Sequence, residues 1–183
     1  MGWVFLRVFG LLLSGVLAVS WLTASDLVRQ PDQSVLLHNV RTGKCADVPG
    51  YGPGEPDGPV GQYTCDGSAQ DNQRWILRYE GRSPSRRLTY SISNTVDGLC
   101  LDLPDFGAVE PGTAVAEFKC RTTQDNQLFF LVRRPGTDAV WIVNLASQLC
   151  LDVDGFGTGG DDAPLTLWYC SDTDDHHWRL ESP

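Results

Sequence analysis

The stretch GLCLDLPDFGAVEPGTAVAEFKCRTTQDNQLF, from Gly98 to Phe129, occurs three times along this chain with variations. In each copy two cysteines lie 20 positions apart; the three pairs are Cys45 and Cys65, Cys100 and Cys120, and Cys150 and Cys170. An aspartate follows the first cysteine of each pair by two positions, and an aromatic residue precedes the second by two. A repeat of about 50 residues indicates an architecture in which no single unit buries its apolar face alone.

The apolar segments inside each unit are short, often alternate with polar residues, and are rich in β-branched and aromatic side chains. Glycine, proline and aspartate separate them, which is typical of strands joined by turns. The pattern predicts about four strands per unit and an all-β chain, with units at about 35–79, 88–133 and 139–181. Three units that close on one another would leave few free strand edges.

The N-terminal residues 1–25 have the composition of a secretory signal peptide. Arg7 provides a positive start, the run from Val8 to Leu22 is apolar, and small residues follow it. We therefore expect a secreted protein that does not insert into a membrane after cleavage, with residues 26–34 as a short polar lead. An uncleaved segment would instead act as a membrane anchor, although it is slightly short for a span.

The formal net charge of −9, without a basic stripe, argues against nucleic acid or an anionic membrane as a partner. Six cysteines in an exported chain are expected to form disulfides. The threefold repeat favours pairing within each unit, but a cyclic set that links neighbouring units has the same symmetry. Each bridge would stabilise the fold by about 3 kcal/mol.

Each unit ends on an aromatic residue in a related tripeptide. The three tripeptides are Gln73-Arg74-Trp75, Gln127-Leu128-Phe129 and His176-His177-Trp178. Together with the Cys-x-Asp motifs, they resemble the threefold Gln-x-Trp repeat of ricin-type lectin domains and of the related family-thirteen carbohydrate-binding modules. This resemblance implies a β-trefoil over residues 35–183 with one disulfide inside each unit. It also implies reversible sugar binding without catalysis, metal or cofactor.

The resemblance places one sugar site in each unit. A carboxylate accepts hydrogen bonds from two hydroxyls, an amide both donates and accepts, and a flat aromatic ring covers the C–H face of the sugar. The residues implied are Asp47, Asn72 and Tyr63 in unit one, Asp102, Asn126 and Phe118 in unit two, and Asp152, Asp175 and Trp168 in unit three.

The three predicted sites are unequal. Unit one is complete except that Gly61 stands where the family often has a glutamine. In unit two, Phe118 stacks but offers no hydroxyl. In unit three, Trp168 is the best aromatic surface, but the carboxylate of Asp175 replaces the amide, cannot donate when ionised, and would repel Asp152. The expected order of competence is unit one, then three, then two.

Several recurring residues have structural alternatives. The tripeptide aromatics and Leu37, Ile92 and Ile142 are expected in the core. The Cys-x-Asp aspartates would also suit turn fixation. Tyr51, Phe106 and Phe156 either wall the sugar pockets or anchor loops. The DTDDHH segment contains metal-ligand types, but adjacent histidines on a strand point to opposite faces, so no metal site is predicted.

The sequence as a whole predicts a secreted, free-standing, monomeric lectin that binds neutral saccharides of the galactose or xylose type. One alternative is a trefoil that has lost sugar binding and acts on a protein partner, as an inhibitor or adhesion protein. A weaker alternative is a glycoside hydrolase, since aspartates are abundant.

Overall fold

The computed structural model describes residues 34–121, 123 and 126–183. The predicted signal peptide and residues 26–33 of the polar lead lie outside this part of the chain. The described residues form fourteen strands: β1 Ser34–Asn39, β2 Cys45–Asp47, β3 Gly58–Pro59, β4 Gly61–Tyr63, β5 Arg74–Arg82, β6 Leu88–Asn94, β7 Cys100–Asp102, β8 Thr113–Ala114, β9 Ala116–Phe118, β10 Phe129–Arg133, β11 Val140–Asn144, β12 Cys150–Val153, β13 Leu165–Trp168 and β14 Trp178–Glu181. Nowhere in the described residues is there a helix with the length and apolar character needed to cross a membrane.

Six strands close into an antiparallel barrel. The ring runs β1–β5–β6–β10–β11–β14 and returns to β1, so each unit contributes its first and last strands. Inward positions alternate with outward ones along each strand. Leu37, Ile92 and Ile142, at equivalent positions of the three first strands, are therefore fully buried inside the barrel, as the repeat predicted.

Three hairpins cover one end of the barrel, one from each unit: β2–β4, β7–β9 and β12–β13. In units one and two the third strand changes partner midway, so that β3 pairs with β9 of unit two and β8 with β13 of unit three. The circle is completed by a single bridge between Gly61 and Pro164. This change of partner splits two strands, which is why fourteen are present instead of the predicted twelve.

The tripeptide aromatics form the centre of the core. Trp75, Phe129 and Trp178 are all fully buried. The indole N–H of Trp75 donates to the carbonyl of Ala46 at 3.1 Å, and that of Trp178 donates to Leu151 at 3.0 Å. A buried indole N–H needs such an acceptor. Phe129 of unit two has no side-chain N–H group and therefore needs none.

Neighbouring units are locked together by the asparagines that end the first strands. Their side-chain amides donate to backbone carbonyls at 2.5–2.6 Å; the pairs are Asn39 to Asp175, Asn94 to Asn72 and Asn144 to Asn126. Each asparagine thus fixes the end of the preceding unit, at the residue just before the hallmark glutamine or histidine.

The disulfides lie within the units. Cys45–Cys65, Cys100–Cys120 and Cys150–Cys170 each join Cα atoms 5.0 Å apart. The pairing implied by the family resemblance is confirmed, and the cyclic alternative is wrong. Each bridge ties the second strand of a unit to the chain just beyond its hairpin partner, which holds the Cys-x-Asp aspartate against that partner strand.

Candidate functional site

A cavity that bears predicted site residues lies in unit one. It has a volume of about 550 Å³, within the range of about 300–1,000 Å³ that is usual for small-molecule sites. It is lined by Asp47, Gly50, Tyr51, Tyr63, Thr64, Cys65, Asp66, Asp71 and Asp162. Two of the three residues predicted for this site, Asp47 and Tyr63, are therefore brought together in one hollow.

The strand register positions Asp47. In the β2–β4 hairpin Cys45 lies opposite Tyr63 and Asp47 opposite Gly61, so the carboxylate and the tyrosine ring lie on the same face. Asp47 is only 6 % exposed. One of its oxygens, Oδ1, accepts a hydrogen bond from Nε2 of Gln73 at 3.1 Å, and the other has no hydrogen-bond partner among the described residues.

The environment makes Asp47 less acidic than usual. Burial raises the pKa of its carboxyl to about 6, against the hydrogen bond from Gln73, which lowers it. The neighbouring carboxylates of Asp71, Asp162 and Asp161 raise it further, because ionising Asp47 adds a like charge to the same region. The ionised form of Asp47 is therefore destabilised by its surroundings, and a ligand that donates a hydrogen bond to the carboxylate would stabilise it.

Aromatic rings form the rim of the cavity. Tyr63 is 41 % exposed and Tyr51 is 84 % exposed. Phe106 and Phe156, the counterparts of Tyr51, are exposed as well. Residues that anchored the loops would be buried. Tyr51 and Phe156 are exposed and line the cavities of units one and three, so they act as pocket walls and not as loop anchors.

Asn72 is fully buried beneath the loop that carries Tyr51. Its Nδ2 donates to the carbonyls of Gly50 and Gly52 at 3.0 and 2.9 Å, and its Oδ1 accepts the N–H of Val48 at 3.3 Å. Because these bonds use both amide hydrogens, Asn72 positions the cavity wall and does not line the cavity. A direct contact between Asn72 and sugar remains a prediction.

Unit three has a smaller cavity, of about 90 Å³. Trp168 lines it with an exposed ring, and so does Asp152. Both carboxylate oxygens of Asp152 are engaged, one by the hydroxyl of Thr166 at 2.7 Å and the other by Nε2 of His176 at 2.8 Å. Thr166 lies opposite Asp152, where unit one has Gly61, and this side chain accounts for part of the lost space.

His176 stands at the position of the hallmark glutamine and contacts the same two groups, a backbone N–H and the aspartate. In unit one, Oε1 of Gln73 accepts the N–H of Asp66 at 2.7 Å while Nε2 points to the aspartate. In unit three, Nδ1 of His176 accepts the N–H of Ser171 at 2.8 Å, and Nε2 lies 2.8 Å from Oδ1 of Asp152. The substitution therefore keeps the backbone hydrogen bond and a nitrogen close to the aspartate.

The contacts of His176 also bear on metal binding. Ligand atoms of Asp152, Asp174 and His176 lie within 4.8 Å of one another. A metal needs an unprotonated ring nitrogen, and Nδ1 is already used by the N–H of Ser171. His177 lies outside this group and stacks on Trp141, so the two histidines point to opposite sides as predicted.

Asp175 occupies the position of Asn72 in unit three. It is fully buried, and its Oδ1 accepts the N–H of Val153 at 3.1 Å, much as Asn72 accepts Val48. Burial and the nearby Asp152 raise the pKa of Asp175 to about 7. Burial also disfavours the charge on Asp152, but hydrogen bonds from His176, Asp175 and Thr166 outweigh it and lower the pKa of Asp152. The raised pKa of Asp175 favours its neutral form, which reduces the expected repulsion between Asp175 and Asp152.

In unit two the predicted aromatic ring is partly covered by a neighbouring side chain. Phe118 is half-buried, and the guanidinium of Arg121 stacks on its ring at 5.3 Å from the centroid. Asp102 is also half-buried, and Asn126 is buried, with its amide donating to the carbonyl of Pro104 at 3.4 Å. One face of the ring that would stack on sugar is therefore already occupied.

The cavity in unit one also contains residues that the sequence prediction missed. Asp71 recurs as Asp125 and Asp174 in the three units, and this repetition was a usable signal. Asp162 enters from unit three, and no spacing within unit one points to it.

Comparison with known proteins agrees with this architecture. A family model described as the ricin-type beta-trefoil lectin domain matches residues 33–178. The chain belongs to this family. The ricin-type match covers most of the chain and includes every predicted site residue. Among curated proteins, none matches the chain significantly.

Solved structures of other ricin-type and trefoil proteins share the fold. ThreeFoil, a designed threefold symmetric protein, aligns with a TM-score of 0.68 and 24 % identity over 83 % of this chain and 100 % of its own. A ricin B-like lectin from Macrolepiota procera, solved with lactose, gives 0.63 and 17 % over 82 % and 96 %. An exo-beta-1,3-galactanase from Clostridium thermocellum gives 0.71 and 22 % over 83 % of this chain but only 30 % of the enzyme. At these identities the likeness establishes the fold alone.

Proposed function

We propose that this chain is a secreted lectin that binds saccharides reversibly through the cavity of unit one, without catalysis. The observation that carries the proposal is the cavity itself, in which the buried carboxylate of Asp47 lies below the open rings of Tyr51 and Tyr63. A carboxylate with one free oxygen accepts sugar hydroxyls, and the rings cover the C–H face. The lectin solved with lactose supports a saccharide as ligand class.

Secretion fits the three disulfides, which persist in oxidising compartments. Unit three provides a second, weaker site through Trp168, because its cavity is small and Asp152 is already hydrogen-bonded. Two sites on one domain increase the apparent affinity for a polymer or a cell surface by avidity. The galactose or xylose type remains the proposed sugar class for the neutral ligands.

The test is saccharide binding by the wild type and two matched variants. Galactose, lactose, xylan and arabinan are titrated while tryptophan fluorescence and heat are recorded. Asp47→Ala is expected to abolish binding at the main site, and Asp102→Ala, the equivalent change in unit two, is expected to leave it intact. A wild-type protein that binds none of a broad glycan panel, or equal losses in both variants, would contradict the proposal.

A hydrolase is tested in the same preparation. Asp47, with its raised pKa, shares the cavity with Asp71, and two carboxyls in one pocket are also the arrangement of glycoside hydrolases. Release of reducing ends from xylan or arabinan that Asp47→Asn eliminates would replace the lectin by an enzyme. The proposal expects no such release.

A further inference from the structure

Unit three builds one wall of the unit-one cavity. Its segment 157–163 crosses strand β4, where Nε2 of Gln62 donates to the carbonyls of Gly159 and Gly160 at 2.9 and 3.0 Å. The N–H of Asp162 in turn donates to the carbonyl of Gln62 at 2.9 Å. These bonds hold the Asp162 side chain at the edge of the cavity, which it lines. The binding site is therefore a composite of two units.

Gly61 allows this approach. A Cβ atom at position 61 would lie 3.0 Å from the carbonyl oxygen of Ala163, closer than ordinary packing tolerates. Asp162 itself has a φ of 66°, a left-handed conformation that aspartate and asparagine adopt more readily than most residues. The equivalent turn residues are Asp57, which also has a positive φ, and Gly112, which lines the cavity of unit three. The unit-one cavity therefore gains a carboxylate that the unit-three cavity lacks.

The composite cavity is strongly negative. Asp47, Asp66, Asp71 and Asp162 line it, and none of the residues that line it is lysine, arginine or histidine. Asp47 and Asp71 are both more than nine-tenths buried, and each has an Oδ2 atom without a hydrogen-bond partner among the described residues. One oxygen of each carboxylate is thus free to accept a hydrogen bond from a ligand in the cavity that both residues line.

Lys44 contacts Thr64, which lines the cavity, but its ion-pair partner is a carboxylate outside the lining. Lys44 is paired with Asp161 at 2.6 Å, and Asp161 also accepts the N–H of Thr64 at 2.8 Å. This pair fastens the unit-three segment to unit one, and among the described residues that line the cavity none carries a positive charge. Burial raises the pKa of the Asp47 carboxyl, and the nearby carboxylates of Asp71, Asp162 and Asp161 raise it further.

Resting on the proposed function, we infer that this cavity selects a sugar that carries an ammonium group, such as a 2-amino-2-deoxyhexose, over the corresponding neutral sugar. An ammonium offers three donors and no acceptor, which matches a wall of acceptors. Its hydrogen bonds to carboxylates are charge-assisted, and the tyrosine rings add cation–π attraction. Among the described residues, the unit-one carboxylates form no group of three ligand atoms within 4.8 Å, so a sugar-sized cation fits them better than a metal ion.

The experiment compares galactosamine and glucosamine with galactose, glucose and the N-acetyl derivatives by isothermal titration near neutral pH. The amine forms are expected to bind roughly tenfold more tightly at low salt, with a smaller ratio at about 0.15 M salt, where charges are screened beyond about 8 Å. Asp162→Asn is expected to reduce the ratio by about fivefold, the upper range for an exposed ion pair. Asn tolerates the left-handed turn, and an unchanged Tm confirms that this variant is folded.

The matched control is Asp57→Asn, the same change in the equivalent turn of unit one, which does not line this cavity. It is expected to leave the ratio unchanged. Equal affinities for amine and neutral sugars, or equal effects of the two substitutions, overturn the inference while sugar binding itself stands. Binding that appears only with added calcium and vanishes with a chelator also overturns it, in favour of a bridging metal. Failure to bind any sugar removes both this inference and the proposed function.

Discussion

Replacing Glu117 by glutamine should prevent part of the loss of folding stability that the wild-type protein shows as pH rises. Glu117 lies in β9 with no exposed surface, and neither carboxyl oxygen has a hydrogen-bond partner in the described part of the chain. Gly54 of unit one packs directly against it. Burial, with a smaller contribution from the charge of Asp97, raises the pKa of Glu117 from 4.5 to about 8. The folded protein therefore keeps this carboxyl protonated at neutral pH.

The magnitude follows from linkage. Between the unfolded pKa of 4.5 and the folded value of about 8, the folded state holds a proton that the unfolded state releases. The free energy of unfolding therefore falls as pH rises, by about 1.4 kcal/mol per pH unit for this one group. The contribution is fully present below 4.5, and about 3 kcal/mol of it is lost by pH 7. Glutamine does not titrate, so the Glu117→Gln variant should not lose this stability as pH rises.

The structure also shows that glutamine fits. Gln62 occupies the position of Glu117 in unit one and donates to the carbonyls of Gly159 and Gly160, which correspond to Gly54 and Glu55. Glu117→Gln should therefore match the wild type near pH 4.5 and exceed its stability by up to about 3 kcal/mol at pH 7.

Urea unfolding with intact disulfides, followed by tryptophan fluorescence at several pH values between 4.5 and 8, measures this difference. Subtracting the wild-type curve cancels the titration of distant groups. The control is Glu110→Gln, an exposed position, whose curve should run parallel to the wild type. Parallel curves for Glu117→Gln would show that Glu117 is ionised in the folded state and would refute the reasoning.

Further predictions concern the two cavities. Saccharide affinity should fall as pH drops through about 6, where Asp47 becomes protonated and loses an acceptor; titration across this range, with Asp47→Asn as a pH-insensitive reference, checks it. Tyr51→Ala should weaken binding several-fold, whereas Phe106→Ala, an equally exposed loop aromatic of unit two, should not change it. His176→Gln should leave Tm nearly unchanged, whereas His176→Leu should cost about 1–3 kcal/mol, because Asp152 loses a donor and a backbone N–H loses its acceptor.

Much of the fold was predictable because the same sequence pattern occurs in three copies that can be aligned with one another. The spacing of the cysteines and the buried positions of Trp75, Phe129 and Trp178 follow directly from the register of the copies. The split of the third strands was not predictable. It arises where a strand leaves its own hairpin and pairs with the next unit, as β3 does with β9, and a single unit contains no signal for that contact.

The candidate site was predictable only for residues that act within one unit. Asp47 and Tyr63 share a face because they belong to one hairpin, and the family resemblance found both. Asn72 was predicted from the same resemblance, but its backbone partners at Gly50 and Gly52 depend on the loop conformation. Asp162 was missed because it reaches the cavity across a unit boundary.

This boundary crossing explains how three nearly identical units come to have unequal pockets. The same pairing that closes the hairpin end of the barrel delivers a turn of one unit to the pocket of the next, Asp162 to unit one and Gly112 to unit three. At Gly112 a side chain would press on the ring of Trp168, at 3.2 Å from a Cβ, so that turn adds no charge. The chemistry of each pocket is thus set by two units at once, and a substitution in a turn changes the neighbouring pocket while leaving the core that its own unit contributes untouched.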